Sequence, residues 1–188
     1  MALGIDEILR LYRTCGAAMY GGERVTQLEH ALQCACLAER SGATPELTAA
    51  CLLHDLGHLL AVRGKALRDS APADAIDDVH QFLAIPFLRG VLPDAVLDPI
   101  HLHVDAKRYL CYSEPGYWDT LSAASKRSLE LQGGVFDAEG ARRFLGQPHA
   151  EDAIALRRFD EVAKEPGRPT PGLEHYEGLL RALVLQEA

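Results

Sequence analysis

The chain has 188 residues, 48% of them apolar and 24% charged, which suits one compact globular domain, expected over residues 1–188. Its 19 Lys and Arg against 27 Asp and Glu leave a formal charge of -8, which opposes broad attraction to nucleic acid or anionic lipid. No apolar run reaches the roughly 18 to 20 residues that cross a bilayer, because His54, Asp55 and His58 break the richest stretch, residues 49–62.

From the N-terminal end, Ile5, Ile8, Leu9, Tyr12 and Cys15 recur at helical intervals, predicting an amphipathic helix over residues 5–19. Acidic Asp6 and Glu7 stand where a secretory leader would begin with basic residues. Five cysteines form no CxxC pair. Both features point to a cytoplasmic protein with reduced thiols, expected to act mainly as small buried side chains. Thr26 and Glu29 have the spacing of a capping box, so a second helix starts there, carries His30 and stops near Gly42. Thr44 before Pro45 opens a third helix, predicted over residues 45–58. Beyond Gly64 a polar stretch rich in Ala, Asp and Pro reads as a surface loop, and a fourth helix runs from about Ile76 through His80 until Pro86. Two helical segments are expected around residues 101–111, followed by a turn at Ser113, Glu114, Pro115 and Gly116. Further helices are predicted over residues 121–131, 138–145, 151–164 and 173–186, separated by Gly133 with Gly134 and by the Pro/Gly cluster of residues 166–172. With no sustained period-two run and no internal repeat, the predicted fold class is all-α, a helical bundle.

His54, Asp55, Gly57 and His58 form the most informative group, set among Leu52, Leu53, Leu56, Leu59 and Leu60. A continuous helix would align His54 with His58, four residues on, and an unpaired Asp in so apolar a helix is costly to bury. Imidazole and carboxylate without thiolate suit iron, manganese or zinc. His30, on the apolar side of the preceding helix with Gln27, Ala31 and Cys34, offers a third ligand, and Asp160 on a late helix a fourth. His80 and either His101 or His103 are candidates for a second metal. His103 is preferred because Lys107 lies one helical turn on and shares its face. Lys107, Arg157, His58, Ser125 and Ser128 lie at helical spacing near these ligands and offer donors suited to phosphate or phosphonate oxygens.

The order His30, His54-Asp55, Asp160 resembles the HD-domain superfamily, helical bundles that hold one or two metals with such residues. The resemblance narrows at Tyr20-Gly21-Gly22-Glu23, at Val25 to His30, at His103 to Leu110, at Leu131-Gln132-Gly133-Gly134 and at Arg157-Arg158-Phe159-Asp160-Glu161. Spanning about residues 20–166, these segments are similar to the mixed-valent diiron oxygenase branch of that superfamily. What the resemblance implies is two iron ions, Fe(II) and Fe(III), one held by His30, His54, Asp55 and Asp160 and the other by Asp55, His80 and His103, with Asp55 bridging. It also implies that Tyr20 occupies an iron at rest and leaves when substrate arrives, that Glu23 lies near the substrate nitrogen, and that His58, Lys107, Ser125, Ser128 and Arg157 cradle the phosphonate. Two departures from the family pattern are Gly21, where a bulkier residue is usual, and Ser128 in place of threonine.

The implied activity is oxidative cleavage of the C–P bond of a small phosphonate, (R)-1-hydroxy-2-aminoethylphosphonate or its N-trimethyl analogue. It uses O2 and releases phosphate with glycine or glycine betaine. The alternative is an HD-domain phosphohydrolase, in which paired metals generate hydroxide to attack a phosphate ester. A third reading is a degenerate HD fold kept as a binding module, which the full ligand set argues against. The sequence leaves open the nitrogen substituent, the oligomeric state and the role of His101.

Overall fold

A computed structural model of the chain describes residues 2–66 and 80–186, with the side chains at positions 62, 64–66 and 80 outside the description. The predicted loop after Gly64 and the start of a helix at Ile76 therefore fall largely outside the described residues. These residues form α1 (Ile5–Cys15), α2 (Gln27–Arg40), α3 (Pro45–Leu53), α4 (Leu56–Ala66), α5 (His80–Leu83), α6 (Ile85–Leu88) and α7 (Asp94–Ser113). They continue with α8 (Tyr117–Thr120), α9 (Ala123–Leu131), α10 (Ala138–Leu145), α11 (Ala150–Val162) and α12 (Leu173–Ala182). The fold is all-α. Among the described residues extended pairing is confined to two isolated bridges, Met19 with Thr26 and Arg89 with Leu92.

Local chemistry sets several of the helix starts. The Glu29 N–H donates to the Thr26 hydroxyl at 3.1 Å while the Thr26 N–H donates to the Glu29 carboxylate at 2.7 Å, so two groups at the start of α2 are satisfied reciprocally. Thr44 accepts from the Leu47 N–H at 3.2 Å, and Pro45 fills the first turn of α3. Ser122 and Asp137 cap α9 and α10 in the same way.

Four expectations need correction. The last helix, expected to reach Gln186, ends at Ala182. The first helix ends at Cys15, four residues short of Met19. Gly16 lies so close to α2 that a Cβ there would stand 2.9 Å from the Leu28 Cβ, and the chain then turns into the Met19–Thr26 bridge. The segment 45–58 is two helices, broken at His54 and Asp55. A continuous helix would use the Cys51 and Leu52 carbonyls to accept from Asp55 and Leu56. Here His54 Nδ1 donates to the Cys51 carbonyl at 2.9 Å and the Tyr12 hydroxyl donates to that of Leu52, so both freed acceptors are satisfied. The region around residues 101–111 is one helix of 20 residues rather than two segments, with Pro99 inside it. Pro99 lies near the start of α7, where its missing N–H frees only the carbonyl of Ala95.

The main core gathers α1, α2, α3, the start of α4, α6, the first half of α7, and α12, while smaller apolar clusters underlie α8 to α10. The most extensive packing is of α11 on α7, of α2 on α3 and of α3 on α7. A buried polar cluster lies where these helices meet. All five cysteines are free thiols, with Cys34, Cys36 and Cys51 buried and Cys15 and Cys111 partly buried. No helix among the described residues is long and apolar enough to cross a membrane.

Candidate metal centre

Three imidazoles converge, from α2, from the break after α3 and from α7, each held by its outer nitrogen. His30 Nδ1 lies 2.8 Å from the Ala163 carbonyl, His54 Nδ1 2.9 Å from that of Cys51 and His103 Nδ1 2.7 Å from that of Ile100. A carbonyl only accepts, so each Nδ1 carries the proton and each Nε2 of the neutral ring presents a lone pair inward. His30 Nε2 and His54 Nε2 face one another at 3.2 Å, and the rings of His54 and His103 meet edge to face at 5.3 Å. Two carboxylates face the same point. Asp55 Oδ2 lies 3.5 Å from His30 Nε2 and 3.2 Å from His54 Nε2, and Asp160 Oδ1 lies 3.3 Å from His30 Nε2. His30, His54 and Asp160 together present ligand atoms within 4.8 Å of one another.

Lone pairs and anionic oxygens aimed at one buried point repel unless a cation lies between them. Asp160 Oδ1 is buried and accepts no hydrogen bond, which marks where such a cation would bind. The donor set therefore fits a metal ion of the iron, manganese or zinc type. Without a metal, a proton takes that role. Burial opposes protonation of His54, but the Asp55 carboxylate outweighs it and raises the pKa to about 10. His103 moves the other way, lowered to about 4 by burial and then by the charge on His54. Burial also opposes ionisation of Asp160, yet Arg157 and Lys164 hold its carboxyl well below the usual range.

A loop covers this cluster. The Met19–Thr26 bridge closes it, the Glu23 N–H donates to the Tyr20 carbonyl at 2.6 Å, and Gly21 and Gly22 take φ values of 44° and 85° that favour glycine. The Tyr20 ring stacks on His30 at 3.9 Å, with its hydroxyl hydrogen-bonded to Asp55. Burial, then the Asp160 and Asp55 charges, push its pKa well up, so Tyr20 is a phenol that donates. Glu23 is half-buried in this turn, and among the described residues no hydrogen bond or ion pair joins it to the imidazoles.

Beside the imidazoles lies a second cluster, of buried cations and hydroxyls. Lys107, one turn beyond His103, is 3% exposed and donates to the Ser128 hydroxyl at 2.7 Å, which donates to the Ser125 carbonyl at 3.1 Å. Arg157, 5% exposed, reaches the Asp160 and Glu161 carboxylates, the Tyr117 hydroxyl at 3.3 Å and the Ser125 hydroxyl at 3.4 Å. His58 does not share a helical row with His54, because the chain breaks between them. Its N–H donates to the Asp55 carbonyl at 2.9 Å and its Nε2 lies 3.8 Å from Asp55 Oδ1.

The fold thus brings together His30, His54, Asp55, His103 and Asp160, with Tyr20, His58, Lys107, Ser125, Ser128 and Arg157 around them. His80 opens α5, and its side chain lies outside the described residues. His101 is exposed, its ring 4.9 Å from Phe82. Sequence reasoning missed Tyr117, Glu161 and Lys164. A signal existed for Lys164, four residues after Asp160 and seven after Arg157, the spacing of one helical face.

No protein-family model matches the chain. It is 41% identical over 172 residues to the hydroxymethylphosphonate dioxygenase of Gimesia maris, covering 92% of this chain and 84% of that protein. It is 38% identical over 169 residues to the [1-hydroxy-2-(trimethylamino)ethyl]phosphonate dioxygenase (glycine-betaine-forming) of Leisingera caerulea, covering 90% of this chain and 84% of the other. An uncharacterized protein of Acanthamoeba polyphaga mimivirus is 31% identical over 178 residues, 94% of this chain and 80% of that protein.

Proposed function

The chain belongs to the family of these phosphonate dioxygenases, and on that premise we propose that it cleaves the C–P bond of a small 1-hydroxyphosphonate with O2. The observation that carries this reading is the adjoining of two clusters: imidazoles whose lone pairs converge with two carboxylates, and buried Lys107, Arg157, Ser125 and Ser128 beside them. The balance is R–CH(OH)–PO3(2−) + O2 giving R–COO(−), HPO4(2−) and one proton. With R an ammoniomethyl or trimethylammoniomethyl group, the acid is glycine or glycine betaine; with R hydrogen it is formate.

The metal complement we propose is two iron ions, Fe(II) and Fe(III), with His30, His54, Asp55 and Asp160 serving one, His80 and His103 the other, and Asp55 shared. Bound iron supplies the one-electron chemistry that lets O2 react with a C–H bond. The protein's own groups do the rest. Lys107 and Arg157 neutralise the phosphonate. Four of the five guanidinium N–H groups of Arg157 have protein partners, which leaves one for an anion. His58 and Ser128 complete the cradle. Holding phosphorus here fixes the neighbouring carbon and its hydrogen against the imidazole cluster, a gain of orientation. Tyr20 and the glycine turn beneath it form the movable wall, since backbone freedom at Gly21 and Gly22 lets the ring leave His30. Glu23, in the same turn, complements a cationic substituent on carbon 2. We read the whole chain as one domain.

The test is phosphate release by the iron-loaded protein, with and without O2, from (R)-2-amino-1-hydroxyethylphosphonate, its trimethylammonio analogue and hydroxymethylphosphonate. O2-dependent release from at least one supports the reading. No release from any, with O2-independent turnover of a simple phosphate ester, replaces it with the phosphohydrolase.

A further inference from the structure

Lys164 lies just past the end of α11, outside any helix, yet its side chain is only 11% exposed. A lysine free to reach solvent normally does so. Here the backbone on both sides of it is fixed to α2. The Ala163 carbonyl takes the hydrogen bond from His30 Nδ1 at 2.8 Å, and the Gln33 side-chain amide clamps Glu165 twice, donating to its carbonyl at 2.8 Å and accepting from its N–H at 3.1 Å. Gln33 is itself 1% exposed. The ammonium is thereby delivered between the two clusters, 3.4 Å from the Ser125 hydroxyl, 3.8 Å from Glu161, 3.9 Å from Asp160 Oδ1 and 5.9 Å from the centre of the Tyr20 ring.

We propose that Lys164 is a third cationic anchor of the phosphonate subsite, positioned by the Gln33 clamp and acting with the Ser125 hydroxyl; the inference rests on the phosphonate reading above. Proton inventory separates the two serines. Ser128 receives from Lys107 and spends its own hydrogen on the Ser125 carbonyl. Ser125 receives from both Arg157 and Lys164, which fills its two acceptor positions and leaves its O–H to donate. Lys164 therefore fixes Ser125 as a donor toward an anion and adds a charge of its own. Arg157 and Lys164 balance Asp160 and Glu161 here, and Asp160 also faces the imidazoles through the oxygen nearest Lys164. Wherever Asp160 serves a metal, positive charge is left over on the phosphonate side.

The test compares the iron-loaded wild type with Lys164→Met, Lys164→Gln and Lys164→Arg, measuring inorganic phosphate affinity by calorimetry, KM and kcat for the preferred hydroxyphosphonate, and iron content. Loss of one charge-assisted contact predicts about tenfold weaker phosphate binding and about tenfold higher KM in Lys164→Met, with kcat within about threefold and iron unchanged. Lys164→Arg is expected to recover most of the affinity. Lys164→Gln, which keeps a donor without the charge, is expected to fall between them and shows that the effect is not unfolding. Phosphate affinity and KM unchanged in Lys164→Met would overturn the proposal. So would a fall in iron content with phosphate affinity intact, because Lys164 would then serve Asp160 alone. If the wild type turns over no hydroxyphosphonate, the activity reading fails, while a tenfold loss of phosphate affinity in Lys164→Met still upholds the anchor.

Discussion

Replacing Arg157 with lysine keeps the charge and removes the fork. The guanidinium joins Asp160, Glu161, the Tyr117 hydroxyl at 3.3 Å and the Ser125 hydroxyl at 3.4 Å. One ammonium on a shorter reach cannot hold two carboxylates and still meet Tyr117 and Ser125. A lysine that keeps the Asp160 contact takes the hydrogen bond from the Glu161 carboxylate, 11% exposed, leaving it only the longer Lys164 contact at 3.8 Å, and releases Ser125. Each lost hydrogen bond to a charged group is worth about 1.5–3 kcal/mol. Taking one such loss on the anion side, about 2.7 kcal/mol, gives a fall in kcat/KM of about a hundredfold. Taking about 2 kcal/mol for the hydrogen bond that Glu161 loses lowers Tm by roughly 4–8 °C in a chain of this size. The assay is O2-dependent phosphate release by iron-loaded Arg157→Lys, with iron content and thermal melts measured on the same preparation. A kcat/KM within about threefold of wild type, at equal iron content, would refute the placement of Arg157 against the phosphonate.

Other consequences follow from the same contacts. In the metal-free protein His54 keeps a proton up to about pH 10, so a metal ion must displace it, and metal affinity measured by calorimetry is expected to rise about tenfold per pH unit between roughly pH 7 and 9. A pH-independent affinity would contradict this. Stability of the metal-free protein is set in opposite directions by two histidines. The contribution of His54, pKa raised to about 10, is complete below about pH 6.5 and lost as pH rises through 10, while His103, lowered to about 4, makes the fold weaken as pH falls from about 6.5 toward 4. Denaturant titrations across pH are therefore expected to show a maximum near about pH 6.5, and a monotonic profile would count against the pair. Tyr12→Phe leaves the Leu52 carbonyl at the helix break without its donor and is expected to cost about 1–3 kcal/mol in urea unfolding, with weaker metal retention; a loss below about 0.5 kcal/mol would show that the break holds itself. Glu23→Gln is expected to impair aminated substrates about threefold to fivefold while sparing hydroxymethylphosphonate, which has no nitrogen. An equal loss on both would remove Glu23 from substrate selection.

What the sequence made legible was what neighbouring residues decide. Thr26 with Glu29 and Thr44 with Pro45 mark their helix starts because the capping groups lie within three residues of the N–H groups they satisfy. His103 was separable from His101 by the face it shares with Lys107, and the two do diverge, one buried and the other exposed. The break at His54 and Asp55 was not legible, because half of its support is the Tyr12 hydroxyl, 40 residues away. The early end of α1 depends on the approach of Gly16 to Leu28 on another helix. Lys164 escaped for the same reason. Helical spacing puts it on the right face, but the chain has left the helix before it, and Gln33, 132 residues from Glu165, holds it in place.

On the proposed function, the two long helices also account for a scaffold shared by relatives whose named substrates differ beyond carbon 1. On α7 an inward imidazole, His103, is followed one turn later by Lys107; on α11 Arg157 precedes Asp160 by three residues. Each helix therefore presents one residue to the imidazole cluster and one to the cluster of buried cations and hydroxyls, spaced by a single turn of about 5.4 Å. That spacing is rigid, since α7 and α11 pack on each other more extensively than any other pair. It fits the part of the substrate common to both named relatives, a hydroxylated carbon joined directly to phosphorus. On the proposed reading the substituent beyond that carbon has no helix assigned to it and would meet the Tyr20 to Glu23 turn, whose shape rests on two positive-φ glycines and one bridge. Divergence in substrate is then expected to concentrate in this turn, and exchanging residues 20–25 for those of the hydroxymethylphosphonate enzyme should change the preferred substituent while leaving inorganic phosphate affinity within about twofold. A change in phosphate affinity instead would mean that the turn and this cluster of cations and hydroxyls are one site, and that the helical spacing alone does not set recognition of the phosphonate.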